Sequence, residues 1–150
     1  MKKLLPFCEN CDGDVDYITF EVERSTQVRG VDIKYNFICC RCKKCGGPVF
    51  PVSVTHENCV RRFDAYKRKV GLLTTDEIIA IRKRNHLTQT QLAERIGCGE
   101  KTIARYERGC IQDRIFDNMI RLIDKEPDLI LKLLQRPVCN WQINFFNHIY

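Results

Sequence analysis

Two Cys-x-x-Cys pairs stand about thirty residues apart near the start of this 150-residue chain: Cys8 and Cys11 in "FCENC", Cys42 and Cys45 in "CKKC". A pair so spaced brings two thiolates from one tight turn to the same tetrahedral ion, at metal–sulfur distances of about 2.3 Å for Zn²⁺. The interval is longer than a usual ribbon spacer, yet long enough for a β-hairpin. A chain of this length makes about one domain or two small ones, and a small half cannot bury much core without a staple.

The stretch "ICCRCKKCGG" holds four thiols, and Cys39 with Cys42 repeats the spacing of Cys42 with Cys45. Spacing alone leaves both pairs open. The residues that follow favour Cys42 and Cys45, because Gly46 and Gly47 allow a left-handed turn and free amides that hydrogen-bond the sulfurs. Cys39 or Cys40 is then expected to point into the core from a strand. Four thiolates leave no open coordination position, so the expected ion is a structural Zn²⁺ and not a catalytic one. His56, His86 and His148 are scattered and are expected at the surface or at helix ends.

Of the ten cysteines, seven fall in the first sixty residues. The opening "MKKLLPFCEN" carries no signal peptide and only a short apolar run, from which a cytoplasmic, reducing environment and no membrane anchor are expected. Metal binding explains the clustered thiols there, and burial as small apolar side chains is expected for Cys59, Cys98, Cys110 and Cys139. The formal net charge is +6; a thiolate site with one Zn²⁺ lowers it to about +4. A basic surface of that size permits nucleic-acid binding without requiring it.

Along the chain, "VDYITFEVERSTQVRG" and "VDIKYNFICC" alternate with period two, which predicts strands with Gly13 and Gly30 at turns. From His56 the pattern becomes helical through Val60, Phe63, Tyr66 or Lys67 and Val70, ending at Gly71. Arg61, Arg62, Lys67, Arg68 and Lys69 on this helix read as a solvated face or as phosphate contacts. "TTDEIIAIRKRN" opens a further helix with Thr75 as the capping signal and Ile78, Ile79 and Ile81 inward. Helices follow in "TQTQLAERIG" with Thr88 as N-cap, "GEKTIARYERG", "IQDRIFDNMIRLIDKEP" and "DLILKLLQRP". The fold class is α+β: a small zinc-bound β-ribbon domain (1–58), a connecting helix (59–71), an all-α five-helix domain (72–136) and an aromatic tail (137–150).

In "LTQTQLAERIGCGEKTIARYERG", Leu92, Ala93 and Ile96, a turn at Gly97 to Gly99, then Ile103 and Tyr106, match a helix-turn-helix, whose second helix lies in the major groove. Lys101, Arg105 and Arg108 share one face of that helix, opposite Ile103 and Tyr106. Lys101 and Arg105 are candidates for donating to guanine O6 and N7. Glu100 and Thr102 stand where the helix enters the groove, and Thr88 and Gln89 sit at a helix N-terminus suited to a phosphate.

Together these motifs resemble the MqsA family of antitoxins over about residues 7 to 135, through "FCENC", "CKKCGGPVF", the helix near "FDAYKRKVG" and "GEKTIARYERGCIQDRIFDNMIRLI". The family's second pair is Cys-x-x-Cys-Gly, which again supports Cys42 and Cys45. The resemblance implies a homodimer on a palindromic operator in double-stranded DNA, repression of its own operon, and a toxin bound by the zinc domain. By position, Lys101 and Arg105 match the family's base-reading sites and Gln89 a phosphate contact of related phage repressors. Lys101 departs from the polar amide frequent there, so the operator sequence is not inherited. The alternatives are a zinc-stabilised protein-interaction module or a stand-alone phage regulator without a toxin. No phosphate loop, nucleophile set or open metal position points to an enzyme.

Overall fold

The computed structural model describes residues 5–126. The first half is built from two antiparallel ribbons. β1 (Phe7–Cys8) pairs with β2 (Gly13–Asp14), and β3 (Tyr17–Val28) pairs with β4 (Val31–Cys42) in register from Val28↔Val31 back to Tyr17↔Cys42. The hairpin turns on two residues, Arg29 and Gly30, both with positive φ (49° and 78°). That geometry matches the right-handed twist of the flanking strands, and Gly30 adopts it without a Cβ penalty. Gly13 is not at a turn, contrary to expectation. It pairs with Cys8 in the ladder, and the left-handed position of the first knuckle is Asp12 (φ 49°).

Helix α1 (Val52–Lys69) lies along the outer edge of β4. The Asn58 side chain is a surrogate strand there. Its carbonyl accepts from the Ile38 N–H (2.7 Å) and its amide donates to the Ile38 carbonyl (2.8 Å). The helix begins at Val52, four residues before His56, and Val54 in its first turn packs on the cysteine-rich core. It ends with Gly71 at φ 70°, Leu72 N–H donating to the Lys67 carbonyl and Gly71 N–H to that of Arg68, the bonds of a Schellman closure.

Lys67 overturns part of the predicted basic face. It is fully buried, because its Nζ donates to Asp64 Oδ1 (2.9 Å) and to Thr75 Oγ1 (2.9 Å). The same carboxylate oxygen accepts from the backbone N–H and hydroxyl of Thr75. Arg61 bridges Glu21 and Glu57, whereas Arg68 and Lys69 stay exposed.

Four helices follow: α2 (Thr75–Arg84), α3 (Gln89–Ile96), α4 (Glu100–Glu107) and α5 (Arg114–Lys125). The cap of α2 is Thr74, not Thr75. The Thr74 hydroxyl accepts from Glu77 N–H while the Glu77 carboxylate accepts from Thr74 N–H, a capping box. Thr75 is the first helical residue, with its hydroxyl spent on Asp64 and Lys67. The core is formed by Leu73, Ile78, Ile81, Leu87, Leu92, Ala93, Ile96, Ile103, Tyr106, Ile120 and Ile123. Asp117 of α5, also buried, accepts from Leu73 N–H, from Gln112 and from Arg121. The expected helix "DLILKLLQRP" and the aromatic tail lie outside the described residues. Among the described residues no helix is long and apolar enough to cross a membrane.

Lys67→Ala leaves the Asp64 carboxylate buried without its counter-charge, which costs about 3–5 kcal/mol. Arg68→Ala, on the exposed side of the same turn, changes stability by less than about 0.5 kcal/mol. Urea unfolding of the two variants checks the contrast; equal midpoints would mean that Lys67 does not lock α1 to α2.

Candidate metal centre and basic helix face

The four cysteines Cys8, Cys11, Cys42 and Cys45 converge, with all four sulfurs within 4.8 Å of one another. The Cys8–Cys45 sulfurs are 3.5 Å apart and the Cys11–Cys42 sulfurs 3.8 Å. Sulfurs at about 2.3 Å from one tetrahedral centre are about 3.8 Å apart, so the spacing fits a metal and is far too long for disulfides. Cys8 and Cys42 are buried, Cys11 is half-buried and Cys45 exposed. Cys39 points elsewhere: β4 ends on Cys42 with Cys40 buried beside it in the small core, and Cys39 is half-buried on the opposite strand face.

The ribbon β1–β2 closes the first knuckle, with Cys11 N–H donating to the Cys8 carbonyl. In the second, Gly46 adopts φ 73° and its N–H donates to the Cys42 carbonyl. Lys44 N–H donates to Cys42 Sγ (3.3 Å) and Gly47 N–H to Cys45 Sγ (3.4 Å). Of the two glycine amides expected to meet the sulfurs, Gly47 does so, while that of Gly46 is taken by the Cys42 carbonyl and Lys44 supplies the other sulfur bond. A Cβ on Gly47 would stand 2.7 Å from Asn10 Nδ2 and 3.3 Å from Cys45 Sγ, so a larger residue there would have to displace the Asn10 side chain. The Gly47 amide holds the Cys45 thiol down to about 7, which favours the thiolate a metal needs. Cys11, hydrogen-bonded to Cys45 and partly desolvated, is pushed up to about 12.

In the second half, α3 and α4 are joined through Gly97, Cys98 and Gly99, with Gly97 left-handed at φ 73°. Lys101, Arg105 and Arg108 are exposed, and Ile103 and Tyr106 are buried behind them. Glu100 is exposed and Thr102 half-buried at the start of α4. Thr88 caps α3 in a reciprocal pair with Gln91, so its hydroxyl already accepts the Gln91 N–H. Gln89 is not free either: its Nε2 donates to Glu107 Oε2 at 2.7 Å.

Glu107 also takes both oxygens to Arg82, from Nε and from Nη2 (2.9 Å), while Arg82 Nη1 donates to the Leu87 carbonyl. This network fastens α4 to α2 and to the start of α3. Sequence spacing missed it, although Glu107 stands four residues after the inward Ile103, a charged residue in an apolar register. Burial works to raise the Glu107 carboxyl, but hydrogen bonds from Arg82 and then Gln89 outweigh it and hold the carboxyl below its ordinary value. Cys98 and Cys110 are half-buried against the helical core and Cys59 half-buried on α1, less enclosed than expected. Cys139 and His148 lie outside the described residues, and His56 and His86 are exposed.

A ribbon pair closed by four converging thiols is joined through a long helix to a helical bundle whose α4 carries exposed basic residues. The sequence model of the family described as "Antitoxin component of bacterial toxin-antitoxin system, MqsA" matches residues 7–134, and the chain belongs to that family. A search of the curated proteins found no match.

Glu107→Gln should destabilise the helical half by about 3 kcal/mol at pH 7, because it leaves the Arg82 charge nearly buried and unpaired. A carboxyl whose pKa is lowered by folding stabilises above the unfolded value of about 4.3 and ceases to do so as pH falls through the depressed folded value. The gap between wild type and variant therefore narrows below about pH 4, which denaturation at a series of pH values measures.

Proposed function

We propose that the chain is a sequence-specific, DNA-binding repressor, the antitoxin of a toxin–antitoxin pair, with α3 and α4 as its helix-turn-helix. The observation that carries this reading is the exposed row Lys101, Arg105 and Arg108 on a helix held from behind by Ile103, Tyr106 and Glu107. A rigidly seated helix with a cationic outer face suits the major groove, where Lys101 and Arg105 reach base edges and Arg108 a phosphate. Glu100 and Thr102 flank the entry. Thr88 and Gln89 stand at the N-terminus of α3, and their committed side chains make its backbone amides the better phosphate donors. Two copies related by a two-fold axis would match half-sites about 34 Å apart, or a multiple of that.

The charge distribution supports a division of labour. Residues 52–126 carry 15 Lys and Arg against 11 Asp and Glu, whereas residues 5–51 carry six against seven. In this reading the four thiolates hold a structural Zn²⁺, and the β half binds the toxin. β3 supports the latter: α1 covers the outer edge of β4, while β3 is exposed along nearly its whole length. An open strand edge is a template for a partner strand.

Selection of bound fragments from a random DNA pool tests the repressor reading: a palindrome should be enriched, and Arg105→Ala should weaken its binding by about 1–3 kcal/mol. No enrichment would overturn the reading in favour of an interaction module. For the β half, Cys45→Ser should abolish stoichiometric Zn²⁺ with DNA binding retained, while Cys39→Ser changes neither. Loss of metal in Cys39→Ser with retention in Cys45→Ser would reverse the ligand assignment.

A further inference from the structure

A cavity backs onto the small core around the four thiols, sharing Ile38, Cys40 and Val49 with it, and lies away from the basic helix. It opens between the hairpin and the first turns of α1 with a volume of about 360 Å³, with Tyr35, Phe37, Phe50 and Val54 among its walls. Its size falls in the range of about 300–1,000 Å³ usual for small-molecule sites, which are mostly apolar with a few convergent polar groups. Here those groups are two guanidinium ions, Arg24 and Arg62, and no Asp or Glu lines the cavity.

Neither arginine has an acidic partner among the described residues. Arg24 lies with its Cζ 3.7 Å over the Phe37 ring, and Arg62 with its Cζ 4.7 Å over Phe63. The Arg62 Nε is shielded from solvent and has no hydrogen-bond partner. Neighbouring Arg61, by contrast, is neutralised by Glu21 and Glu57. A buried N–H without an acceptor costs about 1–3 kcal/mol, more when the group is charged. A carboxylate in the cavity offers these unpaired guanidinium groups a charge-assisted bond, which a neutral acceptor cannot match. The Asn58 side chain in the lining is already spent on the Ile38 backbone.

We propose that this cavity binds a small amphipathic carboxylate, an aliphatic chain or aromatic ring bearing one acid group. Its apolar body lies against Tyr35, Phe37, Phe50 and Val54, and its carboxylate meets Arg62 with Arg24 at the mouth. The site goes beyond the DNA and toxin roles and stands without them.

Octanoate is the probe, titrated calorimetrically into the full-length, zinc-loaded protein with octylamine, the same chain with the opposite charge, as control. Octanoate should bind one per chain and octylamine at least tenfold more weakly. Arg62→Gln should lower octanoate affinity about tenfold or more, and Arg24→Gln, on an exposed strand position where folding is not at risk, should lower it by a smaller factor. No heat at millimolar octanoate, equal binding of octylamine, or wild-type affinity in both variants would overturn the proposal.

Discussion

The β half depends on the closure of four thiols. The buried side chains around them are Cys8, Val15, Ile38, Cys40, Cys42 and Val49, so three of six are cysteines. The three aliphatic side chains contribute about 1.5–3 kcal/mol each on burial, a total that chain entropy readily offsets. A structural Zn²⁺ in a thiolate site contributes about 10–16 kcal/mol in apparent binding free energy. A metal held by the four thiols would outweigh the three aliphatic side chains of this small core.

The helical half is held differently. It has a continuous apolar core, and its elements are located by polar pairs that each cross from one element to another. Lys67 and Asp64 join α1 to Thr75 at the start of α2; Arg82, Glu107 and Gln89 join α2, α4 and α3; Asp117 joins α5 to the segment before α2. Apolar packing tolerates sliding, whereas a buried charge with one partner does not. The basic helix therefore sits on a fixed base.

Much of this was legible in the residues. The convergence of Cys8, Cys11, Cys42 and Cys45 followed from spacing plus two glycines, and the burial of Leu92, Ala93, Ile96, Ile103 and Tyr106 from helical period, because local geometry alone dictates both. What escaped were contacts between residues distant in the chain. Lys67 looked like one of five solvated cations because only the arrival of Thr75 and the turn at Gly71 bury it. Gln89 looked available for phosphate because its partner, Glu107, comes from another helix. The two threonines before α2 were assigned one place off, since either can cap and only tertiary contacts with Asp64 choose between them. The unpaired Arg62 has no local signature at all; an absent acid becomes visible only when the surroundings are assembled.

Helix α1 has a consequence for assembly. Its 18 residues span about 27 Å, fastened near one end by Asn58 to a strand edge and near the other by Lys67 to α2. It acts as a strut whose length and phase set where the ribbon unit stands relative to the basic helix. One residue added or removed within it would swing the two ends by about 100° relative to each other. In a dimer on DNA of the kind proposed above, that phase would decide whether the two ribbon units diverge or collide.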